Sequence, residues 1–461
     1  MNYRINCIFC FLLIVVTGCK KLIDVPGPEN LTESTDVFKS DASAVSAVTG
    51  IYSKAMSSAV SFLNGGITIY TGLSADELIQ NETNSTVQEF FINSLQPSNS
   101  LLRKDLWVRA YDLIYQTNAC IEGLKSSKSL TEATRNQLLG ESYFLRAFLY
   151  FYMVNLFGDL PLIITTDYTT NATLPRTNAT IVRSRIKADL INALNLLIPS
   201  YPSPDRARAN KWTVSAMLAK VYLYDDNWQE VESAASAVIN SGSYSLEKDL
   251  THVFLYTSNE SIFQMMPVAQ GYNTTEGNQF IPSRTFAVPA YSLSNYLLGV
   301  FEPGDKRVIN WIGSQSAGGV LYSFPYKYKL KADFSASFVL REYYVVLRLA
   351  EQYLIRAEAR ANLGNLPGAI QDLDTVRYRA GLSLIDSSIN KTDLLVAIQK
   401  ERQTELFTEW GNRWFDLKRT KQADLVLKNR KLGWNATDTL YPIPGAERLL
   451  NPNLTQNDGY N

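Results

Sequence analysis

The sequence predicts a mainly α-helical protein built from tetratricopeptide-like helix pairs, with a loop-rich, irregular second part that contains short strands. Two observations lead to this class. In residues 40–242 and 341–461, apolar residues recur at spacings of three and four, which is one face of a helix. In residues 243–340 this period is lost, Tyr, Asn, Ser, Gly and Pro are frequent, and only Glu260–Met266 has the character of a strand.

The first residues have the pattern of a bacterial lipoprotein signal. Arg4 supplies a small positive region, and Cys7–Val16 are ten unbroken apolar residues. A membrane-spanning helix needs about 20 apolar residues, so this run is too short to span. The small residues Thr17 and Gly18 precede Cys19, and together with Val16 they resemble a lipobox. We therefore expect cleavage before Cys19 and acylation of that cysteine; the alternative is an ordinary signal peptide with a coincidental cysteine.

Composition limits the classes of function. The chain has 461 residues, 46% of them hydrophobic, with 44 Lys and Arg against 44 Asp and Glu. A balanced charge argues against nucleic-acid binding, which depends on clustered cations. The single histidine, His252, argues against a His-rich metal site and a Ser-His-Asp mechanism, and it is predicted to be a loop residue. After loss of the signal and acylation of Cys19 only Cys120 remains as a thiol, so we expect no intramolecular disulfide.

Helices are predicted from apolar spacing and from the residues that begin or end them. Residues 20–39, with Pro26-Gly27-Pro28, are predicted to be a tether. A capping box at Ser129–Glu132 begins the longest helix, which Gly158 and Pro161 end. The other predicted helices are Ser40–Met56, Leu106–Lys125, Ile181–Ile198, Trp212–Tyr224, Trp228–Asn240, two within Arg348–Arg379, and Leu394–Phe407.

The pair within Arg348–Arg379 resembles a tetratricopeptide repeat. Gly364 lies at its turn and Ala369 at the close crossing of its two helices. A single pair cannot bury its own apolar face. We therefore expect the pairs to stack on one another or on the helix Leu394–Phe407.

Motifs along nearly the whole chain resemble the SusD/RagB family of Bacteroidetes outer-membrane nutrient-uptake lipoproteins. No single motif is decisive, but their order and distances together are specific. They are the lipobox at Cys19, AVTGIYSKAM, LWVRAYDLIYQTNACIEGL, GESYFLRAFLYFYMVNLFGDLPLI, KWTVSAMLAKVYLYDDNW, LRLAEQYLIRAEARANLGN, ERQTELFTEWGNRWFDLKR and YPIPGAERLLNPNLTQNDGY.

The resemblance implies a SusD-like α-α superhelix and a binding protein without catalytic activity. No cofactor and no metal-ligating residue is predicted, and binding of a calcium ion is left open. Such a protein would sit on the cell surface, held in the outer membrane by the acylated Cys19. It would bind a glycan and deliver it to a SusC-like TonB-dependent transporter. The expected parts are a signal peptide (1–18), an anchor and tether (19–39), an N-terminal helical region (40–242), a ligand-binding insert (243–340) and a C-terminal region with the tetratricopeptide-like pair (341–461).

Candidate ligand contacts are aromatic and polar residues of two segments. Sugar rings offer C–H faces that pack on aromatic rings, and hydroxyls that need polar partners. Leu95 stands where starch-binding relatives can carry Trp, which argues against starch. Trp311 is the strongest candidate, and Trp311→Ala is predicted to weaken binding without changing thermal stability. The full set is Trp311, Tyr272, Tyr291, Tyr296, Tyr322, Asn273 and Arg284 in the insert, and Phe90, Phe91 and Asn93 ahead of the Trp107 helix.

Three alternatives stay open: a RagB-like peptide-binding lid, a periplasmic helical-repeat scaffold and a glycan-degrading enzyme. The adjacent carboxylates Asp76 and Glu77 could suggest glycoside hydrolysis, but neighbours in sequence rarely meet its geometry. Arg402–Glu405 and Glu409–Arg413 have the helical spacing of ion pairs, which we interpret as solvated or structural pairs.

Overall fold

The computed structural model describes residues 37–460. The predictions for the signal peptide, Cys19 and nearly all of the tether lie outside the described residues. Within these bounds no helix is long and apolar enough to cross a membrane, and Cys120 is a buried free thiol.

Helices form most of the described chain. Short 3-10 turns also occur at Leu250–His252 and Ala436–Thr439, and His252 lies exposed in the first of them. The α-helices are α1 (Asp41–Met56), α2 (Gly66–Ser74), α3 (Ser85–Ile92), α4 (Arg109–Ser126), α5 (Glu132–Phe157), α6 (Tyr168–Asn171), α7 (Ala179–Leu196), α8 (Lys211–Tyr224), α9 (Trp228–Ile239), α10 (Thr275–Phe280), α11 (Asn295–Leu298), α12 (Lys306–Trp311), α13 (Leu349–Asn362), α14 (Leu366–Arg379), α15 (Lys391–Glu405), α16 (Asn412–Arg419), α17 (Ala423–Leu427) and α18 (Gly445–Leu450).

The helix pairs α8/α9 and α13/α14 stack, as the repeat pattern predicts. Ala219 and Leu223 of α8 share one buried cluster with Ala359 of α13. Small side chains at such a crossing let two helix backbones approach closely. A second cluster joins α13 and α14 to α15 through Ala369 and Ile398. The mainly helical repeat fold is therefore confirmed.

Two helix starts differ from the prediction. Thr131, not Ser129, caps α5, because its hydroxyl oxygen accepts the Thr134 N–H at 3.4 Å. A π-helical turn, Leu102–Val108, leads into α4, so the predicted start at Leu106 falls inside a wider turn. The end of α5 agrees with the prediction, since Gly158 has the positive φ of 69° that favours glycine.

The irregular part contains most of the strands, in three antiparallel pairs. Strand β1 (Leu78–Gln80) pairs with β3 (Tyr291–Leu293), and β4 (Ile312–Ala317) forms a hairpin with β5 (Val320–Pro325). Strand β2 (Ser261–Met265) pairs with β6 (Tyr344–Arg348). Residues 266–343 therefore leave the helical scaffold and return to it at one strand pair. The predicted boundaries of the three parts of the body stay predictions.

A buried ion network ties this segment to the C-terminal helices. Arg348 donates to Glu260 at 2.8 Å, to Glu405 at 2.5 Å and to Glu409 at 2.8 Å. Burial disfavours a charged carboxylate, but the neighbouring guanidinium groups outweigh it and hold the pKa of Glu405 well below its usual value. The buried members of the network are Glu260, Asp305, Arg307, Lys327, Arg348, Arg377, Arg379, Glu401, Glu405 and Glu409.

Candidate ligand-binding surface

The irregular segment presents an unusual share of apolar surface. Twelve of the 27 large apolar side chains that are exposed in the described residues lie within residues 243–340, which are less than a quarter of that chain. A concentration of exposed apolar side chains in one segment can mark a binding face. The segment is therefore where a ligand or partner surface is expected.

Tyr296 is the most exposed aromatic residue among the predicted ligand contacts. Its side chain is 49% exposed at the surface of α11. Ser294 caps this helix, because its hydroxyl oxygen accepts the Leu297 N–H at 3.1 Å. The guanidinium of Arg430 lies 4.5 Å from the centre of the Tyr296 ring, within the range of a cation–π contact.

Arg430 is held in place by a buried carboxylate. It forms an ion pair with Asp76, which Arg413 also binds in bidentate fashion at 2.7 and 2.8 Å. Burial would raise the pKa of Asp76, but Arg413 and Arg430 outweigh this effect and lower it. Burial and the charge of Asp76 raise the pKa of Glu77 to about 8. At neutral pH these four groups therefore carry a net positive charge.

Phe91 lies beside Lys431, the residue that follows Arg430 in the chain. The Lys431 ammonium lies 4.7 Å from the centre of the Phe91 ring and donates to the Phe91 carbonyl at 3.1 Å. Because Arg430 and Lys431 are consecutive, the fold brings parts of both predicted segments to one place. We call Tyr296, Arg430 and Phe91 the Tyr296 surface. Sequence reasoning missed Arg430, because KNRKLG has the composition of any polar loop.

Tyr272 belongs to a second exposed aromatic feature. Its ring meets Phe334 edge to face at a centroid distance of 5.4 Å, and Phe334 is 73% exposed. Arg284 is also exposed, and its carbonyl accepts a hydrogen bond from Gln315 at 3.2 Å. Tyr322 is partly exposed on β5, opposite Gln315.

The other predicted contacts are corrected, because the fold uses their side chains internally. Phe90 is fully buried and stacks on Tyr70 at 4.6 Å. Asn273 is buried and accepts the backbone N–H groups of residues 341 and 342. Tyr291 and Asn93 are also buried, the latter donating to the Ser74 carbonyl at 3.1 Å. In this structure none of these four has the free surface that a ligand contact needs.

Trp311, the strongest prediction, is also wrong as a ligand contact. Its side chain has no exposed surface, and its indole N–H donates to the Leu250 carbonyl at 2.9 Å. Lys327 and Arg379 lie 4.8 and 5.6 Å from the ring centre. The indole covers cations of the buried ion network and is part of the core.

The adjacent carboxylates do not form a hydrolytic pair. Asp76 and Glu77 are 2% and 1% exposed. Asp76 is bound to two arginines, and Glu77 Oε1 accepts the Thr408 N–H at 3.2 Å. In the described part of the chain no cluster of His, Cys, Asp and Glu has the arrangement of a metal site.

Stacked helix pairs with a large loop-built face define a helical-repeat protein with an elaborated second part. Two family models match parts of this chain. The model described as "SusD family" matches residues 302–460, and a SusD-like model described as "Starch-binding associating with outer membrane" matches residues 41–223. The chain belongs to the SusD/RagB family, as the sequence motifs predict.

Known relatives extend over the whole chain. Two SusD-like proteins of Formosa agariphila are 24% and 27% identical, with 98% and 100% of both chains covered. A SusD superfamily structure from Bacteroides vulgatus has a TM-score of 0.81 at 22% identity and covers 92% of this chain and 100% of its own. A structure described as a laminarin-binding SusD-like protein has a TM-score of 0.76 at 23% identity, with the same coverage. These structures establish the fold.

Proposed function

We propose that this protein is a cell-surface lipoprotein, anchored in the outer membrane through acylated Cys19, that binds a glycan and delivers it to a SusC-like TonB-dependent transporter. The Tyr296 surface is the observation that carries the binding step. Membership of the SusD/RagB family and the family description of outer-membrane association support the location. The anchor and the partner are inferred from the family resemblance.

The Tyr296 surface suits a sugar for three reasons. The exposed Tyr296 ring offers an apolar face to sugar C–H groups. Arg430 provides N–H donors next to that face. The buried Asp76 fixes the orientation of Arg430, so little side-chain entropy remains to be lost when a ligand binds.

The proposed function involves no bond cleavage by the protein. Hydrolysis needs an accessible pair of carboxyl groups at a defined separation, whereas Asp76 and Glu77 are buried and already bonded. Incubation of the pure protein with a polysaccharide pool should release no new reducing ends. Release of reducing ends would instead support the glycan-degrading alternative.

The binding step is tested with Tyr296→Ala in titration calorimetry against a panel of glycans that includes laminarin. Loss of the ring should weaken binding at least tenfold, which is about 1.4 kcal/mol, with little change in melting temperature because the ring is half exposed. Tyr168→Ala removes a 79% exposed tyrosine from α6 and serves as the matched control. Equal affinities for both variants would place the glycan elsewhere, and binding of peptides but no glycan would favour a RagB-like peptide lid.

A further inference from the structure

A polar cavity of about 630 Å³ lies on another part of the molecule. It is formed where the ends of several helices meet the C-terminal segment. The lining includes Asn155 of α5, Arg183 of α7, Tyr224 of α8 and Lys418 of α16. None of these residues belongs to the Tyr296 surface or to the buried ion network.

Lys418 is the unusual group in this cavity. Its ammonium donates to the Asn155 carbonyl and lies near the rings of Trp414 and Phe415, at 5.7 and 5.9 Å. It forms no ion pair with any carboxylate of the described residues. Burial, with a smaller contribution from the positive charge of Arg183, lowers the pKa of Lys418 to about 7. An ammonium in such a place lacks the counter-charge that buried cations normally have.

Two further hydrogen-bond donors of the cavity, Arg183 and Tyr224, lack close acceptors. Arg183 is 37% exposed and approaches Asp225 only at 3.7 Å. The Tyr224 hydroxyl is buried and has no hydrogen-bond partner among the described residues. A buried hydroxyl without a hydrogen-bond partner is destabilising, so a ligand that accepts a hydrogen bond there would recover this loss.

The remaining charged groups of the cavity are already bound or exposed. Arg419 pairs with Glu358 and Asp416. Arg176 donates to backbone carbonyls and to Asn457, while Asp159 accepts the N–H of residue 179. Asp458 is exposed. The unsatisfied chemistry of the cavity is therefore that of a cation and two hydrogen-bond donors.

We propose that this cavity binds the anionic group, a carboxylate, sulfate or phosphate, of a small polar molecule through Lys418, Arg183 and Tyr224. The anion provides the counter-charge that Lys418 lacks and an acceptor for Tyr224. This site is independent of the glycan surface. Absence of anion binding would therefore not contradict the proposed glycan-binding function, and absence of glycan binding would not contradict the anion site.

Binding should depend on pH with a definite sign. Below pH 7 Lys418 is protonated in the free protein, and an anion meets a full positive charge. Above pH 7 the free amine is largely neutral, so binding must take up a proton, and affinity falls as pH rises. At pH 8 we expect uptake of about one proton per bound anion.

Sulfate is the probe for the pH test, because its charge is constant between pH 6 and 8.5. Calorimetric titration at constant ionic strength should show tighter binding at pH 6 than at pH 8.5. Repeating the pH 8 titration in buffers of different ionisation enthalpy measures the proton uptake. Phosphate, glucuronate and neutral glucose distinguish the source of the anion: glucuronate without sulfate binding indicates a sugar acid, and equal binding of glucose would overturn the proposal.

Two variants test the donors. Lys418→Met keeps the apolar stem and removes the charge, and it should reduce sulfate affinity at least tenfold at pH 6. Tyr224→Phe removes only the unpartnered hydroxyl, so it should weaken binding several-fold without lowering stability. Lys421→Met, at an exposed lysine just beyond α16, is the control for general charge effects. Unchanged anion binding in both Tyr224→Phe and Lys418→Met, or binding of none of sulfate, phosphate and glucuronate by the unmodified protein, would overturn the proposal.

Discussion

A tryptophan can bind a sugar with its indole face, or it can pack against buried cations. Trp311 packs against buried cations. The residue type and the polar segment around it fit both uses. The sequence does not contain the deciding information, because the partners of Trp311, Leu250, Lys327 and Arg379, come from different parts of the chain. Tyr296 stays a predicted ligand residue and its side chain is half exposed, whereas Arg430 beside it becomes visible only in the fold.

Trp311→Ala is therefore expected to lower stability, contrary to the sequence-based prediction. Removing a fully buried tryptophan costs about 3–5 kcal/mol through lost burial and a cavity. Chemical denaturation should show this loss, with a lower melting temperature. Trp434→Ala, at a partly exposed ring, should cost clearly less. A Trp311→Ala protein with unchanged stability and weakened glycan binding would restore the original interpretation.

At the scale of elements, periodicity predicts the helices well and the ion pairs poorly. The order of the helices, their stacking and the end of α5 follow from apolar spacing and from residues such as Gly158. The within-helix pairs Arg402–Glu405 and Glu409–Arg413 are not those of the structure. Arg402 binds Asp416, and Glu405 binds arginines of three other elements. Helical spacing reports only neighbours on one helix, whereas a buried side chain finds its partners across the fold.

The buried ion network should make Glu405 one of the most sensitive positions of the scaffold. Glu405→Gln removes the negative charge that Arg307, Arg348 and Arg379 share, so cations remain buried with less compensation. Breaking a buried pair in this way costs about 3–5 kcal/mol, measurable by urea denaturation.

Lys400→Gln is the matched control for Glu405→Gln. Lys400 is 43% exposed and pairs with Glu302 at 3.2 Å. An exposed pair of this kind contributes about 0–1 kcal/mol. Equal losses for the two variants would show that burial does not determine the strength of this network.

At the scale of the whole molecule, the proposed function requires that the body remain at the membrane while it delivers its ligand. The segment between Cys19 and Val37 is the proposed link between anchor and body. Deleting residues 22–35 should leave glycan affinity unchanged and reduce import by intact cells. Replacing the same residues with an equally long Gly/Ser segment should preserve import, because reach and not sequence is required. Normal import by the shortened protein would contradict delivery by movement of the body.

The last carbonyl groups of α5 accept hydrogen bonds from residues near the C-terminal end of the described chain. The Leu156 carbonyl accepts the Tyr441 N–H at 2.8 Å, and Asn457 donates to the Phe157 carbonyl at 2.9 Å. Contacts this distant in sequence form late, because the intervening chain must first be ordered. A nascent chain that lacks residues 441–457 leaves these carbonyls without their partners. The fold can therefore close only after nearly all of the chain has been synthesised, which is compatible with the proposed export of the protein.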